Sequence, residues 1–145
     1  MKNLLRSSHD TTIALMRLVL GIIFYAHGSQ KLLGSFGGHG WHGTVQMFTT
    51  YLHIPPFFAA CAILAEFFGG IFLLAGFLSR FAALAIAIDM MVAILKVHFR
   101  NGLLGGPGGA GYEFPLALLA LAILIISKGG GAMSIDRAIA KDADA

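Results

Sequence analysis

The stretch "IALMRLVLGIIFYAHGSQKLL", residues 13–33, decides the fold. It is apolar and, at about 20 residues, long enough to cross a bilayer as a helix. Yet it carries Arg17, His27 and Lys31. A charge at the bilayer centre costs about 2.5 to 3.5 kcal/mol on insertion scales. These groups must therefore face protein or a polar cavity, not lipid. On a helix turning about 100° per residue, Arg17, Gly21, Phe24, Gly28 and Lys31 share one stripe, with His27 beside it. The glycines on that stripe let a neighbouring helix approach closely.

Composition agrees with a membrane chain. Of 145 residues, 57% are hydrophobic and 12% charged, and the mean hydropathy is +0.81. A soluble domain carries about 25% charged residues. The net charge of +3 sits mostly in tails and short loops. It reads as membrane topology and not as a nucleic-acid footprint. Cys61 is the only cysteine, so the chain has no internal disulfide and no Cys-x-x-Cys pair. The polar start runs into the apolar stretch with no small-residue cleavage site, so no cleavable signal is expected.

Four spans are expected, at about 13–33, 57–78, 81–99 and 112–126, in one domain over residues 1–145. The second opens after the Pro55-Pro56 breaker, which suits a helix start. The fourth is short for a span. Lys2 and Arg6 precede span one, Arg80 lies between spans two and three, and Lys128, Arg137 and Lys141 follow span four. Residues 34–56 hold no Lys or Arg. The positive-inside rule then puts both termini in the cytoplasm of a multi-pass protein of the cell (inner) membrane. The tail after Gly131 is expected to be short, with its last residues disordered.

Spans two and three repeat the design of span one. Ala62, Glu66, Gly69, Gly70 and Leu73 share a face, as do Ala82, Ala85, Asp89, Ala93 and Lys96. Within the spans Arg17, Lys31 and Lys96 balance Glu66, Asp89 and Glu113, as intramembrane charges that pair should. By helical rise, Arg17 lies roughly 6 Å and Asp89 roughly 12 Å from the inner boundary, a gap an arginine can bridge. An Arg17–Asp89 structural ion pair is expected, with Glu66 a second candidate partner. Such pairs can serve only to fix which helices meet. His27, Lys31, Glu66, Lys96, His98 and Glu113 gather nearer the outer boundary, which exceeds what registry requires and marks a candidate site.

In the outer loop, Trp41, Val45, Phe48 and Leu52 recur at helical spacing. A short interfacial helix is expected there, anchored by Trp41 and Tyr51 and capping the cluster. His39 and His42 have metal-pair spacing, but no third ligand is evident and no metal site is expected. Haem is not expected either, since His27 and His98 are offset by roughly 7 Å along the membrane normal.

Several segments resemble one family: "RLVLGIIFYAHGSQKLLG" (17–34), "AEFFGGIFLLAGFLSRFAAL" (65–84), "VHFRNGLL" (97–104) and "GGAGYEFPLALLALA" (108–122). With Arg17, His27-Gly28, Lys31, Glu66, Gly76 and Tyr112-Glu113 in order, the chain resembles the DoxX family of small four-helix membrane proteins. That resemblance implies an all-α integral membrane four-helix bundle. The family name is tied to the small subunit of a thiosulfate:quinone oxidoreductase, and members are linked with respiratory quinones, quinone detoxification and oxidative-stress complexes. A wider superfamily includes members that handle disulfides, and this chain lacks the cysteine pair for that branch.

The expected function is a membrane subunit of a quinone-linked oxidoreductase or detoxification system. A quinone needs hydrogen-bond donors at its carbonyls, and its reduction needs protons. His27 and Glu66 are the candidate proton-handling residues. Lys31, Lys96, His98, Glu113 and Trp41 are the candidate ligand-binding ones. The chain has no redox centre of its own, so a redox partner protein must supply electrons; membrane lipids and a second copy are the other candidate partners. The alternative is a non-catalytic scaffold subunit whose buried charges fix helix pairing. A small-molecule or proton carrier ranks last, because four helices are few for a transporter.

Overall fold

The computed structural model describes residues 10–142. Lys2 and Arg6, on which part of the expected orientation rests, and the last residues of the tail lie outside them. The described chain is all-α. Its helices are α1 (Thr11–Leu32), α2 (Gly40–Tyr51), α3 (Pro56–Ala75), α4 (Ser79–Ala93), α5 (Glu113–Lys128) and α6 (Ile135–Asp142). Helix α4 runs on through a π turn, Ile94–His98, and a 3-10 turn, Phe99–Asn101.

The boundaries follow from local chemistry. Asp10 caps α1 by accepting the Thr12 N–H at 2.7 Å, one of the donors a helix start leaves unpaired. Pro56 opens α3 at a position where its missing N–H costs nothing. Gly76 ends α3 in the left-handed region at φ 67°. Phe77 N–H donates to Phe72 O at 2.9 Å across it, a Schellman closure.

Among the described residues, three stretches are long and apolar enough to cross a membrane: Thr11–Leu32, Pro56–Ala75 and Ser79–Asn101. Helix α5, where a fourth span is expected, has 16 residues and falls below the usual minimum of about 17. The long helices are apolar on their outward faces too. Leu15, Ile22, Phe81 and Ile88 are exposed, as lipid-facing positions are.

Helix α3 packs on α1, α4 on α3, α5 on α4, and α5 touches α1. Leu20, Phe24, Leu73, Ile86, Leu118, Ala122 and Ile125 form the core between them. The α1–α3 seam is the tightest. A Cβ on Gly28 would stand 2.4 Å from the Phe67 backbone, and one on Gly70 would stand 2.4 Å from Tyr25 N. Each glycine is thus the slot into which the other helix's backbone fits.

One end of the molecule is closed by the tail. Ala132 N–H donates to Asp10 O at 3.2 Å and Asp136 N–H to Gly76 O at 2.9 Å. The buried Asp136 carboxylate accepts from Leu78 N at 2.7 Å and Ser79 N at 2.8 Å. It thereby satisfies the first donors of α4, whose Leu78 holds a positive φ of 46°. The tail past Gly131 is short, as expected, and its last residues lie outside the described ones. It folds into α6 and locks the α3–α4 turn. The opposite end carries α2 and the loop after His98.

Candidate functional site

A cavity of about 830 Å³ opens between α1, α3, α4 and α5, toward the end that carries α2. Its wall is mostly apolar: Phe24, Met47, Phe48, Phe58, Ile88, Phe114 and Leu118 among others. Against that wall stand His27, Lys31, Glu66, Asp89, Lys96 and His98. Apolar cavities with a few convergent polar groups are the usual form of a small-molecule site.

The polar end is built by the α1–α3 seam. Gly28 brings the α1 backbone onto Phe67, so Lys31, one turn on, meets Glu66. The Lys31 ammonium donates to Glu66 Oε1 at 2.5 Å. Glu66 is only 2% exposed and Lys31 26%. Lys31 also lies 5.7 Å from the centre of the Phe48 ring, a cation–π contact from α2. The second Glu66 oxygen, Oε2, is buried and has no donor. The Asp89 carboxyl, on α4, lies within hydrogen-bonding reach of the Glu66 carboxyl and in the field of Lys31. Two carboxyls therefore meet one ammonium at the head of an apolar cavity.

Lys96 and His98 come from the π turn that extends α4, a departure from α geometry that clusters at functional sites. His98 Nδ1 is 2.9 Å from Ala110 O, which also accepts from Asn101 at 3.0 Å. A carbonyl can only accept, so Nδ1 carries the proton. In the neutral ring Nε2 then presents a lone pair. His27 and Lys96 are exposed at the rim.

The DoxX family pattern matches residues 12–99, more than half of the chain. The chain belongs to the DoxX family. The match takes in every charged and histidine side chain on the cavity wall, from His27 to His98, and stops before α5. This DoxX chain is 26% identical to "Putative oxidoreductase CatD" of Bacillus subtilis (strain 168) over 132 residues, covering 91% of this chain and 90% of that protein. It is 28% identical to "Inner membrane protein YqjF" of Escherichia coli (strain K12) over 138 residues, covering 94% and 98%. It is 29% identical to "Uncharacterized membrane protein Rv3486" of Mycobacterium tuberculosis (strain ATCC 25618 / H37Rv) over 157 residues, covering 98% and 90%. The likeness thus covers more than nine-tenths of this chain in each case. No solved structure matches it significantly.

Not all the expected site residues of this DoxX chain meet. Glu113 is exposed on the first turn of α5, where a carboxylate favours the helix N-terminus, and it is off the cavity wall. Trp41 sits on the first turn of α2, and it is the far end of that helix that reaches the cavity, through Met47 and Phe48. Those two, together with His53, Phe58 and Cys61, are wall residues that the sequence reading missed. Phe48 stood on the predicted helix stripe, and its periodicity was the available signal.

Nor does the expected Arg17–Asp89 pair form among the described residues. Arg17 is 1% exposed and its guanidinium turns to the tail end. Nη1 donates to Leu73 O at 2.9 Å and Nη2 to Met133 O at 3.1 Å. The acidic side chain acting on it is Asp136. The physical reason is the end of α3, whose last carbonyls lack helix partners and carry the negative end of the dipole. Gly76 makes room: a Cβ there would stand 2.0 Å from Arg17 Nη1.

Proposed function

We propose that this chain is a membrane subunit of a quinone-linked oxidoreductase or detoxification system, and that it holds a quinone or similar ring compound in the cavity. The observation that carries the reading is the cavity itself: a large apolar volume ending on the ionisable side chains of Lys31, Asp89 and the buried Glu66. Structural ion pairs alone do not call for an open cavity of this size beside them. A ring and its apolar tail suit the phenylalanine and methionine wall. Proton-handling groups at one end suit quinone chemistry, with Glu66, Asp89 and His27 as the relay candidates. The oxidoreductase name of the Bacillus subtilis relative points the same way. Electrons come from a partner protein.

In this reading α5 completes a four-helix bundle as a fourth, nearly upright span. Helix α2 lies in the outer interface as a lid. Both termini are cytoplasmic, in the inner membrane that the Escherichia coli relative's name specifies. The tail meeting Asp10 at one end of the molecule supports termini on one side.

The test is lipid extraction and mass spectrometry of the purified protein and of Ala62→Phe, which fills the cavity from α3. A quinone enriched in the native chain and depleted in the variant supports the reading. No quinone in either, or equal amounts in both, rejects it.

A further inference from the structure

Hydrogen-bond accounting at the head of the cavity indicates which form of the ring it favours. The Lys31 ammonium faces Glu66 Oε1 and the Phe48 ring. Glu66 Oε2, on a side chain 2% exposed, receives no bond from an ammonium, amide or backbone N–H. Asp89 stands beside it, within hydrogen-bonding reach of the Glu66 carboxyl, and one proton shared between two carboxyls still leaves most of their lone pairs without a donor. His98, whose Nδ1 is held by Ala110 O, leaves Nε2 as the ring nitrogen that faces a ligand. The other polar groups on the wall, His27, Lys96 and His53, are exposed. The buried head of the cavity is therefore rich in acceptors and poor in free donors. A carbonyl oxygen arriving there meets oxygen lone pairs, unless it breaks the Lys31–Glu66 pair. A hydroxyl meets an orphan acceptor, and one between Glu66 and Asp89 serves whichever oxygen is open. A buried acceptor left without a donor is costly, so supplying one is favourable.

We infer that the cavity selects the reduced, hydroxyl-bearing form of its ring ligand, with one ring hydroxyl donating to Glu66 Oε2 between α3 and α4. This rests on the reading that the cavity takes a quinone-class ring. It adds a direction to that reading: the site binds the hydroquinone more tightly than the quinone.

The experiment measures binding of three probes to the purified full chain in detergent: tetramethylhydroquinone, its dimethyl ether and tetramethylbenzoquinone. The three share one substituted ring, and only the first donates. The expected result is hydroquinone binding at least about tenfold tighter than either of the others, as for a hydrogen bond to a charged group. Asp89→Asn and Glu66→Gln each place an amide donor at the cavity head, so in either variant the preference shrinks and the quinone gains. Glu66→Gln removes the charge that holds Lys31, so Asp89→Asn serves if that variant does not fold. Equal binding of all three probes overturns the inference while leaving a ring-binding cavity in place. A quinone preferred over the hydroquinone also overturns it. No binding of any probe overturns both this inference and the proposed function beneath it.

Discussion

Replacing Gly28 by alanine tests how the site is built. The new Cβ would stand 2.4 Å from Phe67 N and Cα and 2.8 Å from Glu66 C, all backbone atoms that no rotamer change can move away. Carbon contacts are favourable at about 3.5 to 4.0 Å, so α1 and α3 must part by at least about 1 Å. Lys31 and Glu66, now 2.5 Å apart, are then stretched to the limit of a hydrogen bond. Overpacking of this kind costs about 1 to 3 kcal/mol. Weakening a charge-assisted bond to a buried carboxylate adds to it, and the total expected is about 2 to 5 kcal/mol. The control is Gly106→Ala, where an added Cβ meets nothing within 4 Å. The assay is thermal unfolding of both variants in detergent, beside ring-ligand binding. Gly28→Ala should unfold at lower temperature than the native chain and bind poorly, and Gly106→Ala should match the native chain in both. If Gly28→Ala is as stable as Gly106→Ala, the close approach of α1 and α3 does not build the site.

The tail end yields further predictions. Arg17→Ala leaves Met133 O without its donor and a void beside Gly76, so folded protein should fall sharply. Because Arg17 and Asp89 share no partner, Arg17→Ala with Asp89→Ala should be additive within about 0.5 kcal/mol in unfolding measurements; rescue by the second change would show that the two are paired after all. Asp136→Ala removes two backbone caps at the start of α4 and should cost about 1 to 2 kcal/mol. Asp136→Asn, which keeps an acceptor, should cost less, and equal losses in both would deny the capping role.

What could be read from the sequence was what depends on periodicity. The apolar runs with charges on glycine-lined stripes placed α1, α3 and α4 within a few residues of where they lie. Lys31, Glu66, Lys96 and His98 reach one cavity because each sits on a helix face that the small residues mark. The spacing of Trp41, Val45, Phe48 and Leu52 foretold α2. Arg17 was misread because its partners are backbone carbonyls. A carbonyl has no letter in a sequence, and the one that receives Nη2, Met133 O, lies 116 residues away. Helix α6 was not legible for a similar reason. Its segment is short and polar, and its order comes from Asp136 reaching the α3–α4 turn, a contact that no local pattern announces. Glu113 was placed by depth alone, which locates a residue along a helix and leaves open which way its side chain points.

The proposed function requires a ring compound to occupy the cavity between α1, α3, α4 and α5. Cys61 is the only cysteine, it is exposed, and it lines that cavity. The rate at which a small maleimide alkylates it therefore reports occupancy at a defined place. The measurement uses a fully substituted quinone and its hydroquinone, which leave the thiol no open ring position. At a ligand concentration about ten times Kd, alkylation should slow by about tenfold, since only the unoccupied fraction reacts. In Ala62→Phe, with the cavity filled, adding ligand should change nothing. An unaltered Cys61 rate in the native chain, under conditions where the ligand is shown to be bound, would put the ligand elsewhere and contradict the account.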